Sequence, residues 1–141
     1  RLHISALSIG VAERLIKDSL KYATERKQFG QPISEFQLIQ GMLADSQTEM
    51  YAATCMVLDT ARRRDTGESV AVLAASCKLF ATEMVGRVAD RAVQIHGGAG
   101  YIEDYGIERF YRDVRLFRIY EGTSQIQQTV IAKDMIRKLN M

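Results

Sequence analysis

The sequence predicts an all-α protein, an up-and-down four-helix-type bundle with an additional C-terminal helix. The chain has 141 residues with one proline and ten glycines, so few residues interrupt a helix. Hydrophobic residues make up 47% of the chain, enough for one sizeable core. They also recur at three- and four-residue steps over long stretches, which is the period of a helix face.

The first helix is predicted to run to about Arg26. The stretch after it contains Gly30 and Pro32, which favour a turn. Ser34 is placed to cap a second helix, and Gln37 stands at the matching position of a capping box. The buried face of the first helix is predicted to consist of apolar residues: Leu2, Ala6, Ile9, Ala12, Ile16 and Leu20.

The second and third helices are predicted to form an antiparallel hairpin. The second should end near Gly67, and the glycine cluster 97–100 should end the third, because glycine tolerates the left-handed conformation common at helix ends. The predicted buried face of the second helix is Phe36, Ile39, Leu43, Ser46, Met50, Ala53, Val57 and Thr60. That of the third is Val70, Leu73, Cys77, Phe80, Met84, Val88 and Val93.

Two shorter helices complete the predicted bundle. One should span about residues 105–117, and a break at 120–123 should precede a last helix through Ile136, capped by Thr123 or Ser124. The chain contains no internal repeat and no linker. We therefore expect one domain over residues 1–141, with about five helices.

Composition excludes several functional classes. The 19 basic and 17 acidic residues give a net charge of only +2, which is too balanced for a sequence-independent nucleic-acid binder. No apolar run approaches the 18 or so residues of a membrane span, and the start lacks the features of a signal peptide. Cys55 and Cys77 are predicted to be small buried thiols of a reducing compartment. No His or Cys spacing indicates a metal site.

The turn after the first helix presents a cation, an amide and an aromatic ring together. Arg26 could hold a phosphate, Gln28 a polar ring edge, and Phe29 a flat ring. The alternative is a plain helix end, in which Arg26 complements the helix dipole and Phe29 fills the hairpin.

The stretch 94–100 contains His96 and three glycines, which allow close approach to the backbone. It lacks the strand and the following helix of a dinucleotide fingerprint. A lone histidine in an apolar setting is more often structural than a catalytic base, so His96 is predicted to be structural.

Glu121 lies in the break before the last helix, next to apolar Ile119 and Tyr120. Burial there could raise its pKa toward that of a working base. Alternatively, it only complements the dipole of the last helix. Arginines at three-residue steps precede it, and they are predicted to be solvated or paired with acidic neighbours: Arg109, Arg112, Arg115 and Arg118.

Taken together, the order and spacing of these motifs resemble the C-terminal domain of the acyl-CoA dehydrogenase family. The resemblance covers nearly the whole chain. Its motifs are Tyr22 to Ile33, Gln94 to Gly100, Arg112-Asp113 and Tyr120 to Gln127. Arg118 departs from the glutamine common in the family. Because the chain begins at Arg1, we expect it to be a fragment that lacks the family's N-terminal helical and middle β domains.

The resemblance implies FAD as cofactor, completed only in a homo-oligomer built as a dimer of dimers. Some residues would approach the FAD held mainly by a neighbouring subunit: Arg26, Gln28, Phe29, Gln94 and Gly98. Thr123 and Gln125 would contact the FAD of their own subunit. The fragment alone is expected to bind FAD poorly and to be inactive. The implied location is the cytoplasm of a bacterium or the mitochondrial matrix of a eukaryote.

The resemblance also implies that Glu121 removes the α-proton of an acyl-CoA thioester while a β-hydride passes to the flavin, giving the 2-enoyl-CoA. The Glu121 N–H would donate to the thioester carbonyl, and Tyr120, Gly122 and Arg1 would contact the substrate. The expected electron acceptor is an electron-transfer flavoprotein. The alternatives are an oxidase or enoyl-CoA reductase of the same family, and a non-catalytic helical interaction module.

Overall fold

The computed structural model describes residues 1–140, and α-helices form most of this part of the chain. The helices are α1 (Leu2–Glu25), α2 (Gln37–Asp65), α3 (Ala71–His96), α4 (Gly98–Tyr101), α5 (Ile107–Phe117) and α6 (Ser124–Leu139). Two short antiparallel strands, β1 (Lys27–Gln28) and β2 (Gln31–Pro32), join α1 to α2. Two 3-10 turns lie at Ile33–Glu35 and Glu103–Tyr105. The predicted all-α class is confirmed. The sequence did not predict the strands, α4 or the 3-10 turns.

Helix α3 is the centre of the bundle, because α1, α2, α5 and α6 all pack against it. Its middle is buried among residues from these neighbours. The largest core cluster includes Ala12, Leu15, Ala53, Met84, Val85, Val88, Ile107, Val114 and Phe117. The core fixes the direction of α3, so the loops at its two ends have defined positions.

The predicted buried face of α1 is partly wrong. Ala12 is buried, but Ala6 and Leu20 are exposed, and serines occupy part of the buried face instead. A serine can be buried here because its hydroxyl bonds within the helix: Ser5 donates to Arg1 O (3.0 Å) and Ser8 to Ile4 O (2.8 Å). The buried residues of α1 are Ser5, Ser8, Ala12, Leu15, Ser19 and Ala23.

The predicted face of α2 is confirmed. Ser46, Ala53 and Thr60 are buried, and the apolar residues between them on the same face are half-buried. On α3, Cys77, an expected core residue, is buried and lies 3.2 Å from the Thr60 hydroxyl, whereas Leu73 is exposed. Burial raises the pKa of the Cys77 thiol. Cys55 is exposed, so the prediction that both thiols are buried was wrong for it, because Cys55 lies on the face of α2 opposite the buried Ala53.

The predicted cap of α2 is also wrong. Ser34 lies inside the 3-10 turn, and Phe36 is the N-cap without any side-chain hydrogen bond. The hydrogen bond from Phe36 N to Ile33 O (3.1 Å) closes the 3-10 turn, and α2 therefore begins only at Gln37. The cap of α6 is confirmed: the Thr123 hydroxyl accepts from Ile126 N at 3.3 Å.

Among the helices of residues 1–140, none combines the length and the apolar character that a bilayer crossing needs. In the same residues, no three His, Cys, Asp or Glu side chains meet in a way that could hold a metal ion.

Candidate functional site

The motif residues gather at two places, one near each end of α3. Lys78 lies near the start of α3 and His96 at its end. At 1.5 Å per residue the two are about 27 Å apart along the helix. We call residues 118–123 the Glu121 loop, which lies against Lys78. The His96 cleft is the space lined by Tyr22, Arg26, Gln28, Ile33, Ile95, His96, Gly97, Gly98, Ala99 and Tyr105.

The Glu121 loop turns through two consecutive residues in the left-handed region. Glu121 has a φ of 56° and Gly122 a φ of 89°. Such a conformation is uncommon for a residue with a side chain. At Gly122 a Cβ atom would lie 2.6 Å from Nε2 of Gln127, so both the φ and the space require glycine.

The Glu121 side chain is exposed, so residues 1–140 do not supply the burial that the sequence interpretation foresaw for a base. Its N–H has no hydrogen-bond partner within these residues. Both groups of Glu121 that could act on a substrate are therefore free in this part of the chain.

Two buried polar side chains hold the loop from inside. Lys78 is 0% exposed, and its Nζ donates to Phe117 O and to Gly122 O, each at 2.7 Å. Gln127 is also 0% exposed, and its Nε2 donates to Gly122 O at 2.9 Å and to Glu121 O at 3.4 Å. The Gly122 carbonyl therefore accepts from two fixed donors.

Charges around Lys78 link it to the loop and to the start of the chain. Burial lowers the pKa of Lys78, while the carboxylates of Glu83 and Glu121 oppose this and the charge of Arg1 adds to it. Arg1 is exposed at the start of α1. Because its charge and that of Glu121 both act on Lys78, the two residues lie at the same end of the bundle.

Tyr120 completes the apolar side of the Glu121 loop. It is half-buried and stacks on Phe117 with ring centroids 5.9 Å apart. Burial raises the pKa of Tyr120, and the charge of Glu121 raises it further. The structure thus brings together the sequence-predicted residues Tyr120, Glu121 and Gly122.

The far side of the loop is an open cleft of about 330 Å³, lined by Thr123 and Gln125 among others. Glu83 organises it, because its carboxylate accepts from the Ser124 hydroxyl at 2.7 Å and lies 3.3 Å from Nε of Arg118. The two residues predicted to contact the FAD of their own subunit therefore share one accessible surface.

The His96 cleft brings Arg26, Gln28 and Gly98 together around a space of about 430 Å³. Arg26 is exposed and forms no ion pair within residues 1–140. Gln94 lies nearby in the last turn of α3 and is also exposed.

Phe29 lies at the tip of the strand pair with a φ of 53°. Its ring is 93% exposed and touches Phe36 edge to face, with centroids 6.1 Å apart. The alternative in which Phe29 fills the hairpin is therefore wrong, because this tip stands clear of the core.

His96 has the structural role that the sequence predicted. It is buried, its ring stacks on Tyr22 at 4.4 Å, and its Nδ1 lies 2.8 Å from Ala92 O. Gly97 ends α3 with a φ of 58°. Gly100 lies in α4 close to α3, where a Cβ would be 2.8 Å from Val93 O.

Three of the four arginines at three-residue steps, Arg109 to Arg118, are paired. Arg112 bonds Glu108 at 2.9 Å, Arg109 lies 3.9 Å from Asp113, and Arg118 lies beside Glu83. The prediction of paired arginines is confirmed for these three. Arg115 is exposed and lines the cleft of Thr123 and Gln125.

Sequence reasoning missed Lys78, Glu83 and Gln127. A signal existed for Lys78: it lies three residues from both Ala75 and Ala81, so helical spacing alone places a cation on a buried face. Gln127 lies inside the recognised motif, three residues after the buried Ser124.

This all-α bundle carries an exposed carboxylate on a pinned loop at one end, and an exposed cation and an exposed ring at the other. Residues 1–136 match the family model described as acyl-CoA dehydrogenase, C-terminal domain. The chain therefore belongs to the acyl-CoA dehydrogenase family.

Similar proteins fit this family. The chain is 50% identical over 137 residues to the probable acyl-CoA dehydrogenase YngJ of Bacillus subtilis (strain 168), covering 97% of this chain and 36% of that protein. It is 46% identical over 138 residues to the caffeyl-CoA reductase-Etf complex subunit CarC of Acetobacterium woodii, covering 98% and 36%. A solved structure described as the FAD complex of PigA is similar with a TM-score of 0.89 and 30% identity, covering 93% and 34%. The chain thus spans little more than a third of these relatives.

Proposed function

We propose that this chain is the C-terminal domain of an FAD-dependent enzyme that dehydrogenates an acyl-CoA thioester to the 2-enoyl-CoA, with Glu121 as the base. The observation that carries the proposal is the Glu121 loop. Its carboxylate and its N–H are both free, on a backbone held by Lys78 and Gln127. The family membership supports the same chemistry.

In the proposed reaction the Glu121 carboxylate takes the proton from the α-carbon of the thioester. A positioned general base contributes about 10² to 10⁴ to a rate. The Glu121 N–H donates to the thioester carbonyl oxygen, where negative charge develops as the proton leaves. Tyr120, Gly122 and Arg1 lie at this end of the bundle and are proposed to contact the substrate.

The bound FAD would accept the hydride that leaves the β-carbon. The exposed side chains at the two ends of α3 fit such a group. Arg26, which has no ion pair in residues 1–140, offers a cation for a pyrophosphate, and Phe29 offers a 93% exposed ring for a flat ligand. Gln28, Gln94 and Gly98 complete that end, and Thr123 and Gln125 the other. Burial that Glu121 lacks in this chain would come from the substrate, the flavin and the other domains.

We further propose that the two ends serve two FAD molecules, one held mainly by a neighbouring subunit and one by the chain's own subunit. Their separation along α3 supports this division. The complete protein would then be a homo-oligomer, a dimer of dimers, with an N-terminal helical domain and a middle β domain before this one. An electron-transfer flavoprotein is the proposed acceptor, supported by the relative named as an Etf complex subunit.

One relative favours a second candidate, an enoyl-CoA reductase using the same site. The Acetobacterium woodii protein is named a reductase at 46% identity. In that direction Glu121 would give its proton to the α-carbon instead of taking it. Anaerobic stopped flow compares the two directions: in a dehydrogenase the bleaching by saturated acyl-CoAs should be the faster step, whereas in a reductase the reoxidation of reduced flavin by the 2-enoyl-CoA should be faster.

The decisive test of the base is Glu121→Gln in the full-length protein. Flavin bleaching by a panel of acyl-CoAs, measured by stopped flow without oxygen, should fall by about 10² to 10⁴ while FAD content stays unchanged. Glu13→Gln is the matched control, because Glu13 is an exposed carboxylate in the middle of α1, away from both ends. Bleaching of Glu121→Gln within a few-fold of wild type would place the base elsewhere.

A further inference from the structure

Lys78 is a buried cation whose presence the packing of the core does not explain. It is the largest fully buried side chain of the described residues and forms no ion pair within them. Burying an ammonium group is costly, and an apolar side chain of similar length would avoid that cost. A role other than filling the core is therefore needed.

The two acceptors of Lys78 lie at opposite ends of one loop. Phe117 is the last residue of α5, where helix carbonyls lack intrahelical partners and carry partial negative charge. Gly122 lies just before the cap of α6. A single ammonium group therefore ties the start of the Glu121 loop to its end, and residues 118–121 lie between the two tied carbonyls.

Gln127 acts on the same carbonyl from the other side. Its Nε2 donates to Gly122 O at 2.9 Å and approaches Glu121 O at 3.4 Å. A left-handed conformation at a residue with a side chain persists only where the surroundings enforce it. The φ of 56° at Glu121 has such surroundings in the two donors on the neighbouring carbonyl.

We propose that Lys78 is a positioning residue which, with Gln127, fixes the Gly122 carbonyl and so holds Glu121 in the backbone conformation that presents its carboxylate and its N–H. The inference rests on the proposed function of Glu121. It adds that catalysis depends on a cation that never touches the substrate. Since a misplacement of about 1 Å can cost about 10²-fold in rate, loosening the loop should slow the reaction strongly.

The test is Lys78→Met in the full-length protein, which keeps the length of the side chain and removes its three donors. At saturating acyl-CoA the rate of flavin bleaching should fall at least about tenfold, with FAD content unchanged and the half-saturating acyl-CoA concentration shifted by less than about threefold. Lys78→Arg, which keeps the charge, should recover part of the lost rate.

Thr82→Val is the matched control. Thr82 is also 0% exposed, lies one turn further along α3, and donates to Lys78 O at 2.8 Å. The variant removes a buried hydrogen bond from the same helix without touching the Glu121 loop. It should lower the thermal unfolding temperature and leave the bleaching rate within about twofold of wild type. An equal rate loss in both variants would show that Lys78 is only structural, and would overturn the inference.

A double variant separates this inference from the proposed function. If Lys78 acts through Glu121, adding Lys78→Met to Glu121→Gln should cost little further rate, whereas independent roles should multiply the two losses. If the two rate losses multiply, the positioning role of Lys78 is overturned and the proposed base is not. The same conclusion follows if the flavin of Lys78→Met is bleached within about twofold of the wild-type rate. Wild-type bleaching by Glu121→Gln overturns the proposed base, and the inference with it.

Should Lys78→Met fail to fold, Gln127→Leu provides the same test from the other donor. It leaves the ammonium in place and removes only the amide that bonds Gly122 O. Its bleaching rate should also fall at least about tenfold with FAD retained. A rate within about twofold of wild type in this variant overturns the proposed clamp on the Gly122 carbonyl.

Discussion

The two ends of α3 are built in opposite ways. At the Glu121 loop, side chains of the same chain that are 0% exposed fix the backbone, and the loop is complete within the domain. At the His96 cleft and the neighbouring strand pair, the side chains with candidate roles are exposed: Arg26 has no ion pair in residues 1–140, and Phe29 is 93% exposed. Internal hydrogen bonds therefore organise the end at the Glu121 loop. The other end presents a cation and a ring that have few contacts within residues 1–140.

This difference teaches which function each end can perform alone. A base needs its position fixed before the substrate arrives, and internal hydrogen bonds provide that. A cation and a ring that contact a shared cofactor need accessibility instead, and their order comes with binding. Substitutions at the Glu121 loop should therefore slow chemistry, and those at the His96 cleft should weaken cofactor binding.

Among the substitutions that test this difference between the two ends, the largest loss of bleaching rate is expected for Gly122→Ala. Its φ of 89° disfavours a side chain, and the new Cβ would lie 2.6 Å from Nε2 of Gln127. Displacement of the loop should lower the bleaching rate of the full-length protein about 10²-fold. FAD content, measured by absorbance, should change little.

Gly10→Ala is the control for that variant. Gly10 lies in α1, and a Cβ there would meet nothing within 4 Å. Alanine should raise helix stability slightly and leave the bleaching rate unchanged. Wild-type bleaching by Gly122→Ala would show that the loop tolerates movement and would remove the contrast between the two ends.

A smaller effect of a different kind is expected for Arg26→Ala at the other end. Hydrogen bonds to charged groups contribute about 1.5–3 kcal/mol, so FAD should dissociate about 10- to 100-fold more readily. The residual holoenzyme should bleach at nearly the wild-type rate. Flavin fluorescence on dilution measures the first quantity, and stopped flow the second.

Arg64→Ala is the matched control, because Arg64 is an exposed arginine at the end of α2 with no ion pair in the described residues. It suits this purpose better than Arg63, which bonds Asp59 at 2.9 Å. Equal FAD retention by Arg26→Ala and Arg64→Ala would make Arg26 an ordinary surface charge.

The buried face of a helix was predicted correctly where the residues at helical period are also the residues that pack in the core. The face of α2 was predicted because its period continues through Ser46, Ala53 and Thr60, the residues that meet α3. The prediction of the buried face failed on α1, because serines whose hydroxyls bond to carbonyls of the same helix take the place of apolar residues in the interior. Periodicity of apolar residues cannot detect a polar group that is satisfied locally.

The candidate site followed from the sequence only for residues in recognisable motifs. Glu121, Arg26 and Phe29 were proposed that way, although the exposure of their side chains was not predicted. Lys78 was missed because its role depends on two carbonyls that lie 39 and 44 residues further along the chain. Contacts between helices of this kind are set by tertiary packing, which local patterns do not encode.

The smallest effect concerns the middle of the bundle, where neither end is involved. Glu49 of α2 accepts from Arg87 Nε and Arg91 Nη2 of α3, each at 2.9 Å. Burial acts to raise the pKa of Glu49, but the hydrogen bonds and charges of Arg91 and Arg87 outweigh it, and the pKa lies below its ordinary value of 4.5. The folded state therefore favours the ionised carboxylate.

Glu49→Gln should consequently lower stability at neutral pH by about 1 kcal/mol or less, with bleaching and FAD content unchanged. A carboxyl group whose folded pKa is depressed stabilises the protein above its unfolded pKa, and that contribution is lost as pH falls through the folded value. The difference between wild type and variant in urea unfolding should thus be constant above the ordinary pKa of 4.5 and should disappear as the pH falls through the lower pKa of the folded state. Glu13→Gln, an exposed carboxylate of α1 without an ion pair in the described residues, is the control and should show no such difference. If the difference in stability between wild type and Glu49→Gln stays unchanged in acid, Glu49 contributes by packing and not by its charge.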